Sequence, residues 1–237
     1  RLKHINKFGE NPDIDTDEHE TIWGGGGWWD LPASGAQVFN IFSNSLQDID
    51  TTGTGMRSVM VEGLDADGLE QSEVVLMNGL TEVPTVGSYM TVHRMYGLTW
   101  GSLTYNQGLI RARASVDSTD HCQIRTSSVL NRGLNQSAQA IYTVPADHQG
   151  YVTNWVIGAS ATTNLRLDGF LWKRVFGESG WRIQGTQAAT ARSNSASTRI
   201  YNPPLKLSPL DTIAVSASVH GAATNTVVRG EFDLVLE

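Results

Sequence analysis

The chain has 237 residues, a net charge of −7 and a hydrophobic fraction of 40%. This length and apolar content suit one large or two modest globular domains, and the scattered Lys and Arg residues do not favour nucleic acid as a partner. No run of about eighteen apolar residues is present, so the sequence predicts no membrane-spanning helix.

Residues 1–32 are predicted to form an extended N-terminal arm, because they show no sustained hydrophobic period of two or 3.6. The arm ends in IWGGGGWWDLP at 22–32, where four glycines lie between Trp23 and the pair Trp28 and Trp29. Burial of three Trp side chains stabilises by roughly 11–19 kcal/mol. Ordering about thirty residues costs on the order of 30–60 kcal/mol of backbone entropy. Further contacts must therefore hold the arm.

Two sources of those contacts are open: backbone hydrogen bonds to the arm's own domain, or capture by another subunit. We expect capture by a neighbour, because glycines let adjacent aromatic rings find separate pockets. The expected partner-binding anchors are Phe8, Trp23, Trp28 and Trp29.

The alternating Asp13, Asp15 and Asp17 resemble the start of a calcium-binding loop. However, Glu18 stands where that loop requires Gly, and Gly24 stands where it requires Glu. Solvated charge on the arm explains these residues with fewer assumptions, so we predict no metal site.

Residues 33–131 are predicted to form a first β-sandwich domain. Period-two alternation indicates strands, at 37–43, 56–64, 69–77, 88–98 and 109–116. The dipeptides Asp67-Gly68 and Asn78-Gly79 are typical of tight turns.

Residues 132–237 are predicted to form a second β-sandwich domain, and both domains are expected to be jelly-roll-like. Gly, Asn, Ser and Pro clusters separate seven strand candidates, at 138–144, 150–159, 165–176, 181–184, 199–207, 212–219 and 227–236. The predicted fold class is therefore all-β: an extended N-terminal arm followed by two tandem antiparallel β-sandwich bodies, with very little helix.

No catalytic motif is evident in the sequence. The single cysteine, Cys122, can form no internal disulfide and has no partner at zinc-ligand spacing. Asp168 near Trp172 and Glu178 near Trp181 could form a glycosidase-type carboxylate pair, but charges at hairpin edges are commoner. We predict no enzymatic activity, no catalytic residues and no cofactor.

A carbohydrate-binding module is a stronger alternative, since β-sandwiches bind sugars by stacking them on exposed aromatic rings. Trp155 and Trp172 lie within apolar strand runs, which predicts burial in the core. Trp181 follows the turn-forming residues 177–180, so it is the candidate for sugar stacking.

Four segments resemble a group of virion structural proteins of tailed bacteriophages, especially phages of marine and aquatic bacteria. They are HINKFGENPDIDT at 4–16, ETIWGGG at 20–26, AIYTVPA at 140–146 and EFDLVL at 231–236. Trp28 and Trp29 fall outside these segments.

The resemblance implies a protein of the virion surface, made in the host cytoplasm and most plausibly a capsid decoration or cement protein. Tail-adaptor, neck and head-fibre proteins are the alternatives within that class. The implied partners are the major capsid protein and further copies of the chain, with a trimer as the first expectation. Neither nucleic acid nor membrane is an expected partner.

Overall fold

A computed structural model describes residues 2–127, 132–160, 164–191, 194–221 and 226–237. Within these ranges no residue lies in a helix, and therefore no described segment is a candidate membrane-spanning helix. The strands of the described residues are β1 (Lys3–Ile14), β2 (His19–Thr21), β3 (Phe39–Ser43), β4 (Met56–Leu64), β5 (Glu70–Leu76), β6 (Val83–Pro84), β7 (Thr91–Trp100), β8 (Ile110–Ala114), β9 (Asp120–Ile124), β10 (Thr126–Ser127), β11 (Arg132–Gly133), β12 (Ile141–Thr143), β13 (Gly150–Ser160), β14 (Leu165–Arg174), β15 (Trp181–Ala191), β16 (Asn194–Leu207), β17 (Thr212–Gly221) and β18 (Thr226–Leu236). The all-β prediction is confirmed.

The chain divides into two compact units, and the division differs from the predicted one. Unit 1 consists of Arg1–Trp29 together with Gln139–Glu237, and unit 2 consists of Asp30–Ala138. The expected boundary between 131 and 132 is thus displaced to 138 and 139, and residue 131 itself lies outside the described residues. Unit 2 is inserted into the sequence of unit 1, so the two bodies are not in tandem.

Unit 1 has the strand order of a jelly roll. One sheet runs β1, β18, β13, β16, and the other runs β12, β17, β14, β15, with β2 also paired to β17. If β2 and β12 are taken as two parts of one strand position beside β17, eight positions result. The first strand neighbours the last, and consecutive strands cross from one sheet to the other except at β14 and β15, which pair in the same sheet, as in the double Greek key of jelly rolls.

The predicted arm supplies the first strand of this jelly roll. β1 pairs with β18 in antiparallel register from Lys3 opposite Leu236 to Ile14 opposite Thr226, and β2 pairs with β17. Backbone hydrogen bonds to the chain's own sheets therefore order the segment. The expectation of an arm ordered by capture on another subunit is wrong for these strands.

The core of unit 1 lies between its two sheets. β13 and β18 contribute alternate side chains such as Trp155 and Phe232, and β14 and β17 contribute Leu167 and Val215, all fully buried in one cluster. The burial predicted for Trp155 is confirmed. Since successive strand residues point to opposite faces, the intervening residues of β14 and β17 face away from this core.

Unit 2 is also built from two sheets around a core. Its sheets have the orders β6, β3, β8, β9 and β5, β4, β7, with β10 and β11 forming a separate pair, and side chains of both larger sheets share one buried cluster. The predicted turn joins β4 to β5: Gly68 has a positive φ of 76°, and Asp65 N–H donates to the carbonyl of Leu69 at 2.9 Å.

A buried carboxylate organises the loops of unit 2. Asp48 is fully buried, and its Oδ1 accepts hydrogen bonds from the backbone N–H of Met56 at 2.8 Å and of Gln107 at 2.9 Å. Its Oδ2 accepts from Ser43 Oγ at 2.7 Å and from Gly108 N–H at 2.8 Å. One side chain thus joins the nearby Ser43 and Met56 to residues 107 and 108, which lie 59 and 60 positions further along the chain than Asp48.

Candidate binding surface

The outer face of the β17 and β14 sheet in unit 1 carries aromatic side chains. Along β14, Leu167 and Leu171 point into the core, so Phe170 and Trp172 lie on the opposite face, where they are half-buried. Ser216 of β17 stands opposite Phe170 in the strand register. The expectation that Trp172 belongs to the core is wrong, because it alternates with the inward-pointing leucines.

The glycine run is an ordered turn that places Trp28 above this face. Gly26 and Gly27 have φ values of 71° and 66°, which only glycine adopts readily. A Cβ at Gly25 would lie 2.2 Å from the ring of Trp23. Glycine is therefore required at these positions for close packing and turn geometry, and the glycine run is not a flexible linker.

Glu20 fixes the turn from below. This buried carboxylate accepts hydrogen bonds from the N–H of Gly27 at 2.5 Å, from Asn11 Nδ2 at 2.9 Å and from the N–H of Asp15 at 3.1 Å. Next to Trp28, the N–H of Trp29 donates to Thr21 Oγ1 at 3.1 Å. The backbone on both sides of Trp28 is therefore anchored to unit 1.

Five rings meet on the outer face, and we name them the aromatic patch: His19, Trp28, Phe170, Trp172 and Trp181. The ring of Trp28 stands perpendicular to that of Trp172, at 88° and 5.5 Å between centroids, and to that of Trp181, at 90° and 5.7 Å. His19 lies among them, 4.8 Å from Phe170, 5.4 Å from Trp172 and 5.6 Å from Trp28. Edge-to-face contacts of this kind are favourable.

The polar atoms of the patch are turned inward. Trp172 Nε1 donates to Ser216 Oγ at 2.6 Å, and the same hydroxyl lies 2.6 Å from His19 Nε2. Burial lowers the pKa of His19 below its usual value. In the neutral imidazole, Nε2 accepts a hydrogen bond from the Ser216 hydroxyl, which itself accepts the indole N–H.

Charged side chains border the patch on the same sheet. His220 bridges two carboxylates, with Nδ1 2.6 Å from Asp17 Oδ1 and Nε2 3.3 Å from Asp168 Oδ2. Arg166 Nε also donates to Asp168 at 3.0 Å. Beyond the other end of β14, Arg182 donates to Glu178 at 2.5 Å.

The two carboxylates considered for a glycosidase pair do not come together. Glu178 lies beside Arg174, whose Nε donates to its carbonyl oxygen at 3.0 Å. Asp168 and Arg174 are six positions apart on β14, which corresponds to about 20 Å at the rise of a strand. Glycosidase carboxylates lie within roughly 10 Å of each other, so this strand spacing does not support a glycosidase pair.

The acidic residues of the N-terminal segment form a small group in which ligand atoms of Asp15, Glu18 and Glu20 lie within 4.8 Å of one another. Both oxygens of Glu20 already accept hydrogen bonds from the turn that they hold. The group is therefore explained by the fold, and we assign no metal to it.

The expected partner-binding anchors separate into two classes. Trp23 and Trp29 are buried, at 6% and 2% exposure, so they are not free to anchor the chain to another subunit. Phe8 and Trp28 keep 38% and 39% of their surface exposed and remain predicted contact residues. Trp181, the predicted sugar-stacking residue, begins β15 and lies in the aromatic patch.

Sequence analysis missed His19, Phe170 and Trp172 as surface residues. A signal for two of them is present in LRLDGFLWKR at 165–174. Leu165, Leu167 and Leu171, with Gly169 between the last two, define the inner face. The aromatic residues at 170 and 172 therefore share the outer face with Arg166 and Asp168. Nothing local in the sequence brings His19 or Trp28 to that face.

No protein-family model matches the chain, and no protein of curated function matches it in sequence. Among solved structures, similar chains occur in the Gt strain of infectious bursal disease virus, with a TM-score of 0.27 and 9% identity over 100% of this chain and 72% of the other. T=1 particles derived from that virus give a TM-score of 0.26 and 9% identity over 100% and 69%. The VP2 subviral particle of the same virus gives a TM-score of 0.26 and 10% identity over 100% of this chain and 71% of the other. TM-scores this low do not establish a common fold.

Proposed function

We propose that this chain is a non-enzymatic structural protein of the virion of a tailed bacteriophage, bound to the outer surface of the head as a decoration or cement protein. The observation that carries the proposal is the jelly-roll strand order of unit 1, an architecture used by viral capsid domains. The fold supports the class of role by analogy. The assignment to a phage particle rests on the four segments that resemble phage virion proteins, at 4–16, 20–26, 140–146 and 231–236.

All four of these segments lie in unit 1, and each covers all or part of one of its strands, β1, β2, β12 or β18. These segments therefore lie on strands that build the jelly roll. In this proposal, unit 1 is a scaffold shared with the group.

Unit 2 offers a surface for the major capsid protein. β5 is the edge strand of its sheet, and it carries Val74 and Leu76, which are 51% and 57% exposed. Exposed apolar side chains on a strand edge are typical of interaction sites. Phe8, exposed on β1, remains a second predicted contact.

A tail-adaptor, neck or head-fibre protein could use the same surfaces at another position on the particle. The distinction rests on where the chain binds. Self-association, with a trimer as the expected state, is part of the proposal, and sedimentation equilibrium of the purified chain measures it.

The test uses particles from phage that lack the gene for this chain. Labelled wild-type protein should bind these particles to saturation at sites on the head. The double variant Val74→Glu and Leu76→Glu should bind about 100-fold more weakly, because two uncompensated charges would be buried in the contact. Leu2→Glu, which adds a charge at another exposed leucine (69%), is the matched control and should bind normally. Absence of binding by the wild type to any part of the particle would refute the proposal, and binding at the tail alone would favour the alternatives.

A further inference from the structure

Trp172 and Trp181 present carbon atoms, and not their indole nitrogens, to solvent. The indole nitrogen of Trp172 is hydrogen-bonded to the fully buried Ser216, and the indole nitrogen of Trp181 is itself buried. Both side chains are nevertheless only half-buried. The parts of these rings that meet solvent are therefore C–H edges and π faces.

The rings are held in a fixed arrangement. Trp28 is perpendicular to both Trp172 and Trp181, so it contacts each of them edge-to-face. Its position is fixed by the hydrogen bonds of Gly27 to Glu20 and of Trp29 to Thr21. Because the backbone is already ordered, little conformational entropy remains to be lost when a ligand stacks there.

The size of the patch fits a small ligand. Trp28 exposes 39% of its surface, which is about 60–100 Å² for a side chain of this size. Trp172 and Trp181 add smaller areas, so the three indoles together expose less than roughly 300 Å² of surface. A stable protein interface buries about 800 Å² on each partner, so the patch alone is too small for one.

Hydrogen-bonding groups lie on both sides of the rings. Asp168, with Arg166 and His220, borders one side, and the Glu178–Arg182 pair borders the other. Small-ligand sites typically combine an apolar surface with a few placed polar groups. A hexopyranose matches this combination, since one face of the ring presents C–H groups and its rim presents hydroxyls.

We propose that the aromatic patch is a carbohydrate-binding site for a neutral hexopyranose chain, with Trp28, Trp172 and Trp181 as stacking residues. Nothing in this inference depends on the head-binding proposal, whose predicted contacts lie on β5 of unit 2 and at Phe8 of β1. A proline-rich peptide also docks on aromatic grooves, but an extended peptide rises about 3.1 Å per residue and needs a longer row of rings. The flanking charged pairs suit hydroxyl groups better than proline rings.

The experiment titrates the intact chain with cellohexaose, chitohexaose, mannohexaose and galactohexaose, and with a decaproline peptide. Isothermal calorimetry measures affinity, and nuclear magnetic resonance follows the indole N–H signals of the seven tryptophans. We expect at least one hexasaccharide to bind with a Kd on the order of 1 mM or tighter. The signals of Trp28, Trp172 and Trp181 should shift, while those of the buried Trp23 and Trp155 should stay in place.

Variants assign the binding to the patch. Trp28→Ala and, separately, Trp181→Ala should each weaken binding about tenfold or more. Phe8→Ala is the matched control, because Phe8 lies on the other sheet with nearly the same exposure (38%) as Trp28. The affinity of this variant for the hexasaccharide should be unchanged. If no hexasaccharide binds up to about ten times the expected Kd, or if binding survives both Trp variants, the inference is wrong. Binding of decaproline alone would overturn it in favour of a peptide groove.

Discussion

The N-terminal segment should contribute directly to the stability of unit 1. Ile14 and Ile22 are both fully buried in its core, and truncation of a buried Ile to Ala costs about 2–5 kcal/mol. The double variant Ile14→Ala and Ile22→Ala should therefore lose about 4–10 kcal/mol if the two effects add. A domain is typically stable by only about 5–15 kcal/mol, so much of unit 1 should unfold.

Hydrogen exchange measured by mass spectrometry locates the effect. Peptides from β18 (Thr226–Leu236), the partner of β1, should lose protection in the double variant. Peptides from β4 (Met56–Leu64) in unit 2 should keep theirs. Leu2→Ala, at a site that is 69% exposed, should change stability by less than about 0.5 kcal/mol. Unchanged protection of β18 in the double variant would refute the assignment of the segment to this core.

Three further predictions concern single side chains. Asp48→Ala should destabilise by about 3–5 kcal/mol in urea unfolding, because it leaves buried N–H donors without an acceptor, whereas Asp67→Ala on the exposed turn should cost less than about 0.5 kcal/mol. Gly25→Ala should lower the free energy of unfolding by about 1–3 kcal/mol and displace Trp28, because the added Cβ would overlap the Trp23 ring. The control Gly180→Ala should be tolerated, because no atom lies within 4 Å of the added Cβ. Equal effects of the two variants would contradict the turn geometry. The lowered pKa of His19 means that the unfolded chain binds a proton near pH 6.5 before the folded chain does. Stability should therefore fall as the pH drops below about 6.5, and His19→Gln should reduce that slope in pH-dependent thermal unfolding; an unchanged slope would count against the lowered pKa of His19.

Much of the strand pattern is readable from the sequence. The run at 56–64 was expected as a strand and is β4, and the Asp67-Gly68 dipeptide forms the turn that leads to β5. Local rules work here because the partner strands are neighbours in the sequence and the alternation of apolar residues matches the buried face. The strands of 138–237 were expected from the alternation alone, although the expected runs at 181–184 and 199–207 are shorter than β15 and β16.

The place of β1 could not be predicted because most of its buried positions are not apolar. Lys7, Gly9 and Asn11 occupy inward or covered sites along much of the strand, so the period-two hydrophobic pattern is missing. Gly9 is required for close packing, since a Cβ there would lie 2.3 Å from the carbonyl oxygen of Ile22. Its partner strand, β18, is more than two hundred residues away, beyond the range of local patterns.

The candidate site was only partly predictable for a related reason. Trp181 was identified from its position after a turn, but the patch also needs Trp28, which reaches the sheet through a turn held by Glu20. These side chains come from segments about 150 residues apart, so no local sequence spacing predicts that they meet. Trp172 differs, because its alternation with leucines along β14 is visible in the sequence. Although Trp172 was expected in the core, this alternation was enough to predict a position outside it.

The most direct test of the proposed function is an electron cryo-microscopy map of intact particles of the phage that encodes this chain. The account predicts density for the jelly roll of unit 1 and the inserted unit 2 at a fixed, symmetry-related position on the outer surface of the head. That density should be absent from particles of the gene-deletion phage. A head map in which the two particles are identical would contradict the account.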